Sequence, residues 1–154
     1  MTLLKRGETL HINMISRIFG TRVRRGITYC GSLRRGIGHV ILIATFQKNP
    51  EDAIPYRDRA RDKFLFYTGE GLVGDQKMER GNLVLRKQIK DGFPVFVFEK
   101  KGPGKYMFLG EFKVLGVRRE TQPDIKGQKR KVFLFKLKRV SNEVSLSTQG
   151  YIHS

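Results

Sequence analysis

Apolar residues along this chain recur mainly at every second position, the spacing of half-buried strands, and only twice at helical spacing. Lys63 to Tyr67 alternates, which predicts a strand burying Phe64 and Phe66 on one face. Gly38 to Gln47 is rich in Val and Ile at its middle and predicts a strand buried on both faces. Four more strands are expected further on: Pro94 to Glu99, Lys105 to Leu109, Glu111 to Arg119, and Lys131 to Val140. Gly-Pro-Gly at 102–104 and the Pro123-Asp124 to Gly127 stretch supply the turns between them. The helical patterns are short. Leu10, Met14, Ile15, Ile18 and Phe19 share one face of a helix over Leu10 to Phe19, with Thr9 placed to cap it and Gly20 to end it. A second helix is expected from Asn82 to Lys90, with Leu83 and Ile89 inward and Asp91-Gly92 closing it. Many strands with two short helices indicate a curled sheet or a barrel. Ser141 to Ser154 reads as a polar tail.

A length of 154 residues suits one domain with a real core, and 39% hydrophobic content including 11 Phe supports it. Charge changes the picture more. A formal +17 at this size implies a polyanionic partner, with nucleic acid first and an anionic membrane surface second. No apolar run approaches the roughly 20 residues needed to span a bilayer, and no stretch suits a secretion signal. The single cysteine, Cys30, excludes an internal disulfide and a cysteine-built zinc site, which points to a reducing, cytoplasmic setting. Arg24-Arg25 and Arg34-Arg35, each next to a glycine, are candidates for phosphate-facing loops, although any one such pair also suits a solvated surface.

Candidate chemistry concentrates between Tyr56 and Asp75. The strand ending at Tyr67 runs into a loop with Gly69, Gly71 and Gly74, residues that let a ligand approach the backbone. Tyr56 and Asp58 lie just upstream among arginines. Two rings, a carboxylate and exposed amides are what a flat, hydrogen-bonding heterocycle requires, and a nucleobase fits that description. The same residues also read as core or rim tyrosines and a surface ion pair of Asp58 with Arg57 or Arg61.

Other chemistries find less support. His11, His39 and His153 are scattered, with no neighbour at metal-ligand spacing, and no Cys-His pair suggests a nucleophile. Glu99-Lys100-Lys101 at a strand end resembles the E-x-K of Mg²⁺-dependent nucleases, with Asp75 or Asp91 as the upstream carboxylate, but it is also an ordinary hairpin end. The glycine cluster lacks the G-x-x-x-x-G-K-[ST] of a phosphate loop.

The stretch Tyr67-Thr68-Gly69-Glu70-Gly71, followed by Gly74-Asp75-Gln76, resembles the SRA (SET- and RING-associated) domain. The resemblance is closest to the bacterial and archaeal branch found in modification-dependent restriction proteins. Gly81-Asn82 opening a helix, the Pro94 to Phe98 strand, and Phe108-Leu109-Gly110-Glu111-Phe112 continue the likeness, which spans roughly Gly26 to Val140. It implies an α+β, mainly β fold: one curved, PUA-like β-barrel over residues 1–140 with short helices packed on it. Residues 1–25 would form an N-terminal helix and basic segment, and 141–154 the tail.

By position, the resemblance implies that Tyr56 and Tyr67 sandwich a flipped base and Asp58 accepts from the cytosine amino group. Thr68 and Gly69 would line the pocket. Arg24, Arg25, Arg34, Arg35 and Lys77 would contact DNA backbone or groove, with Arg34, Arg35 or Lys77 filling the vacated stack. Asp62 is the other carboxylate near that position, and the finger loop of eukaryotic members is shortened here to Gln76 to Arg80. The expected function is a reader of modified cytosine in double-stranded DNA, nucleoid-associated in a prokaryote. No cofactor, metal or catalysis is expected in this chain, and cleavage would come from a nuclease partner or fused domain. The rivals are a PUA-like binder of a modified ribonucleotide and a Mg²⁺-dependent nuclease using Glu99 and Lys101.

Overall fold

The computed structural model describes residues 2–46, 59–147 and 150–151. In chain order the elements are β1 (Thr2–Lys5), β2 (Thr9–Leu10), α1 (Ile12–Phe19), β3 (Ile27–Ser32), β4 (Gly36–Ala44), β5 (Arg59–Arg61) and β6 (Phe64–Thr68). There follow α2 (Arg80–Asp91), β7 (Val95–Gly102), β8 (Lys105–Pro123), β9 (Lys129–Ser141), β10 (Glu143–Ser147) and β11 (Gly150–Tyr151). An eight-stranded sheet runs β3-β4-β7-β8-β9-β6-β5, with β2 paired to β8, and β1-β10-β11 form a second, three-stranded sheet. Among the described residues only the β4–β7 pairing is parallel.

The two central strands explain the continuous apolar runs. In β4, Val40, Leu42 and Ala44 enter one core cluster while Ile41 and Ile43 enter another. In β7, Val95 and Val97 join the first and Phe96 and Phe98 the second. A strand covered on both faces has no solvent side on which to alternate. Helix α2 covers the first cluster with Val84 and Leu85, and α1 covers the second with Ile15 and Phe19.

Several sequence expectations change. The sheet curls but does not close into a barrel among the described residues, because β3 pairs only with β4 and β5 only with β6. Phe64 and Phe66 are half-buried rather than buried; Leu65 and Tyr67 take the core face, and Lys136 Nζ sits 4.9 Å and 5.9 Å from the two phenyl centroids. Thr9 belongs to β2, so His11 caps α1, its Nδ1 accepting from the Asn13 N–H at 3.1 Å. In α2 the residue facing inward near the end is Gln88, and Ile89 is exposed. Gln88 binds the Phe93 carbonyl at 2.9 Å and accepts from the Val114 N–H at 2.8 Å, so the helix is tied to β8 by hydrogen bonds at that turn.

The expected strands Lys105 to Leu109 and Glu111 to Arg119 are one. Gly110, at φ +123°, lets β8 bend through a bulge instead of ending, and a Cβ there would lie 2.5 Å from the Ser141 carbonyl oxygen. The polar tail begins as a strand: β10 pairs with β1 and sinks Val144 and Leu146 into the second cluster.

Candidate nucleic-acid interface

Strand β6 ends at Thr68, and the loop that follows continues its pairing with β9 through side chains. The Gly69 N–H donates to the Phe133 carbonyl at 2.8 Å. The Phe133 N–H donates to Gln76 Oε1 at 2.9 Å, and the Gln76 N–H donates to the Lys131 carbonyl at 2.9 Å. The Lys131 N–H then donates to Asp75 Oδ1 at 2.7 Å. Gln76 Nε2 closes the loop by donating to the Gly69 carbonyl at 2.5 Å and the Gly71 carbonyl at 3.2 Å. The Gly-Asp-Gln motif is therefore a clamp, in which short polar side chains stand in for a missing strand.

Asn82, in the first turn of α2, holds the loop from the other side. Its Oδ1 accepts from the Glu70 N–H at 2.7 Å, and its Nδ2 donates to the Glu70 and Lys77 carbonyls at 3.1 and 2.9 Å. A Cβ on Gly69 would lie 2.6 Å from Asn82 Oδ1 and 2.9 Å from Gln76 Oε1, which is why this position is glycine. The Glu70 carboxylate accepts hydrogen bonds from the backbone N–H groups of Ile27 and Gly81. Burial pushes its pKa up, and the two N–H donors and the Arg80 charge offset this only in part.

Beneath the loop lies a buried polar group on the opposite face of the sheet from Tyr67. Arg130, 3% exposed, donates through Nη1 to the Gly71 and Gly74 carbonyls at 2.5 and 3.2 Å. Its Nε and Nη2 have no hydrogen-bond partner among the described residues. Gln122 Nε2 donates to Thr68 Oγ1 at 3.4 Å. Asp124 braces the β8–β9 turn by accepting from Lys126 and Gln128, each at 2.9 Å. Burial would raise the Asp124 pKa, but backbone donors at Gln128, Lys126 and Gly74, with Arg130 nearby, hold it below the usual carboxylate value.

Of the expected pocket residues, Tyr67, Thr68 and Gly69 lie together at the head of this loop, and Tyr56 and Asp58 fall outside the described residues. Tyr67 is 4% exposed and belongs to the first core cluster. A Cβ on Gly26 would lie 3.6 Å from the Tyr67 hydroxyl and 3.8 Å from Glu70 Oε1, so the Arg24-Arg25 turn is brought directly beside the loop. Both arginines are exposed, and the turn is braced by the Arg24 N–H donating to Thr28 Oγ1 at 2.9 Å. Lys77 is exposed and, with Glu70, Gln76 and Arg80, lines a 330 Å³ cavity at the start of α2. Arg34 and Arg35 are not brought to this place. They sit in the β3–β4 turn, about 20 Å along β3 from Ile27 at roughly 3.3 Å per residue.

Sequence reasoning missed Glu70, Arg130, Gln122 and Asp124. Only Glu70 carries a local signal, since it lies inside the Y-T-G-E-G motif. The loop also shows an apolar tip. Leu72, Val73 and Ile125 are 48%, 56% and 53% exposed, and the Ile125 N–H donates to the Leu72 carbonyl at 3.3 Å. Glu99 is buried and pairs with Lys101 at 3.1 Å, and no group of three or more potential metal ligands occurs among the described residues. No helix among the described residues is long and apolar enough to cross a membrane.

The mainly β fold with a helix on each face of the sheet, and the side-chain-clamped Y-T-G loop, agree with the SRA resemblance. Residues 9–149 match the family described as "ScoMcrA-like, SRA domain", and the chain belongs to that family. The SUVH5 SRA domain, solved with fully methylated CG DNA, is similar at 25% identity over 94% of each chain, with a TM-score of 0.67. The same domain bound to fully hydroxymethylated CG DNA gives 24% identity over 92% of this chain and 94% of that one, with a TM-score of 0.68. The sulfur-binding and SRA domains of ScoMcrA, solved with phosphorothioated DNA, give 22% identity and a TM-score of 0.65, over 88% of this chain and 40% of that one. No curated protein matches the chain.

Proposed function

We propose that this chain reads modified cytosine in duplex DNA by turning the base out of the helix into a pocket headed by Tyr67, Thr68 and Gly69. Tyr56 is the second stacking wall, and Asp58 accepts from the cytosine amino group. The observation that carries the reading is the clamped Y-T-G loop, whose Gly69 backbone is fixed by Gln76 and by β9 and set beside the exposed Arg24-Arg25 turn. A preorganised loop loses little freedom when a base arrives, so stacking of roughly 1–3 kcal/mol per aromatic contact can offset the few kcal/mol of unstacking. Solved SRA relatives bound to methylated and hydroxymethylated DNA support a modified-DNA partner.

Tyr67 is 4% exposed, so a base reaches its ring only after neighbouring chain moves aside. Capture therefore includes an opening step that lowers the apparent affinity. Arg24, Arg25 and Lys77 contact phosphates near the pocket, and Arg34 and Arg35 do so farther along the duplex. The exposed apolar tip of Leu72, Val73 and Ile125 is a better candidate than a cation for resting in the vacated stack, as apolar wedges do elsewhere. The chain is a recognition module, and cleavage falls to a nuclease partner or fused domain.

The test is binding to one short duplex carrying cytosine, 5-methylcytosine or 5-hydroxymethylcytosine at a single site, with a matched RNA duplex alongside. Tighter binding to a modified DNA duplex, lost in Asp58→Ala and Tyr67→Ala, is expected. Equal binding to all three DNA duplexes, or preference for RNA, overturns the reading.

A further inference from the structure

The Glu70 carboxylate ties together three separate segments that meet at the Y-T-G loop. It belongs to the loop, accepts from the Ile27 N–H directly after the Arg24-Arg25-Gly26 turn, and accepts from the Gly81 N–H in the first turn of α2. Space has been cleared for it on the α2 side, where a Cβ on Gly81 would lie 2.6 Å from Glu70 Oε2. On the other side a Cβ on Gly26, at φ +88°, would sit in ordinary contact 3.8 Å from Glu70 Oε1 and 3.6 Å from the Tyr67 hydroxyl. Helix α2 has no acidic residue in its first turn, and its N-cap Glu79 makes no side-chain cap bond. A carboxylate from outside the helix therefore supplies the anion that its N-terminal N–H groups favour.

The cation side of the arrangement is equally specific. The Gly26 carbonyl accepts from the Ile43 N–H at 2.9 Å, and Val23 N–H donates to Ser16 Oγ at 3.0 Å, so the turn is fixed at its two ends. Arg24 and Arg25 form no ion pair among the described residues, and their guanidinium groups remain available. The bond from Ile27 to Glu70 is the link that sets this turn relative to the loop after Tyr67.

We propose that Glu70 is a positioning residue that registers the Arg24-Arg25 phosphate contacts against the base pocket, so that grip on the backbone and capture of the base act as one. This rests on the modified-base reading above and adds to it the residue that joins its two halves. An unlinked turn would still attract phosphate, but at positions unrelated to the pocket.

The experiment is a double-mutant cycle on the preferred modified duplex, using Glu70→Gln and the pair Arg24→Ala with Arg25→Ala. Glutamine keeps the shape but offers one acceptor oxygen where two N–H groups need partners. Glu70→Gln in the wild-type background should weaken binding about five- to tenfold and flatten the salt dependence by about two phosphate contacts, each contributing a slope near 0.9. In the Arg24→Ala, Arg25→Ala background it should produce no further loss. Thermal unfolding of each variant separates this from a fold defect, because a merely structural role would lower the melting temperature and weaken binding by the same factor in both backgrounds. Additive losses, or wild-type binding by Glu70→Gln, overturn the positioning role and leave the base-reading proposal standing. An unchanged salt slope in the double arginine variant overturns both the phosphate assignment and the positioning role. Equal wild-type affinity for modified and unmodified duplex overturns the base reading itself.

Discussion

Replacing Gln76 by leucine tests whether the loop after Tyr67 is held by this side chain. In the wild type, Gln76 donates to the Gly69 and Gly71 carbonyls and accepts from the Phe133 N–H. Leucine satisfies none of them. The Gly71 carbonyl keeps Arg130 as a donor, so two backbone groups, the Gly69 carbonyl and the Phe133 N–H, are left without a partner. Each orphaned buried group costs about 1–3 kcal/mol, which gives a loss of about 2–6 kcal/mol. For a chain of this length that corresponds to a fall in melting temperature of about 5–20 °C. Urea unfolding measures the loss directly, with an unchanged m-value showing that the denatured state is unaffected. A companion variant, Gln76→Glu, keeps the acceptor for Phe133 but turns an oxygen toward two carbonyls. Its carboxyl is then favoured in the protonated form, so Gln76→Glu should be weakened at neutral pH and recover stability toward pH 4. A loss below about 1 kcal/mol in Gln76→Leu, or a pH-independent Gln76→Glu, would refute the clamp.

Gly69→Ala drives a Cβ to 2.6 Å from Asn82 Oδ1, so it should cost about 1–3 kcal/mol and abolish preference for the modified duplex, read by calorimetry and a binding isotherm on the same sample. Leu72→Ser, Val73→Ser and Ile125→Ser change exposed residues and should alter stability by no more than about 0.5 kcal/mol. If the apolar tip rests in the vacated stack, the same three changes lower affinity for the modified duplex and slow its unstacking, seen with a fluorescent base analogue beside the modified site; wild-type signals would remove the tip from the mechanism. The pH dependence follows from Glu70, whose folded pKa lies above its ordinary 4.5 mainly through burial. The folded state then holds the proton more tightly than the unfolded state. The resulting stability is fully present below 4.5 and is lost as pH rises through the higher folded value. Glu70→Gln should therefore gain in melting temperature relative to wild type as pH rises from acid to neutral, and a difference that stays flat with pH would count against a buried, ionising Glu70.

The parts of the fold legible in the sequence were those governed by strong local signals. Val95, Val97, Phe96 and Phe98 alternate between two core clusters as their spacing predicts, and Gly20 ends α1 in the left-handed conformation expected of it. The failures have physical causes of their own. Gly110 reads as a strand break because a turn and a bulge use glycine for the same positive φ, and only the approach of Ser141 distinguishes them. Phe64 and Phe66 read as buried because alternation fixes which residues share a face but not which face meets the core; Lys136 covers their rings instead. Val144 and Leu146 were hidden in a polar stretch, since two apolar residues among serines reveal a strand only when β1, at the other end of the chain, is seen beside it. At the candidate site, the motif located the loop but not what holds it. Arg130 and Gln122 lie more than 50 residues from the glycines and threonine they bind, and no local pattern marks them.

The same distance explains why the loop is built from polar side chains at all. An apolar core could anchor a strand after Tyr67, but a strand would place the Gly69 and Gly71 backbone groups in regular pairing and leave no room for the proposed pocket. Gln76 and Arg130 instead take the Gly69 and Gly71 carbonyls, and Asn82 takes the Glu70 backbone groups between them, which leaves the chain in a non-repeating path. Buried polar groups are costly unless fully partnered. Nearly every one here is partnered, which restrains the loop where those partners hold it. Around this loop, two atoms of Arg130 and one of Gln122 are the exception, and they lie on the sheet face away from Tyr67. The incomplete bonding is thus at the residue that holds Gly71 and Gly74 from behind, whereas Gly69 is paired directly with Phe133 of β9. On this arrangement the half of the loop held by Gln76 and β9 is the more rigid, and the tip carrying Leu72 and Val73 is the part freer to adapt. Amide exchange should therefore be slow at Gly69 and Phe133 and fast at Leu72 and Val73, and uniform protection along the loop would contradict that division.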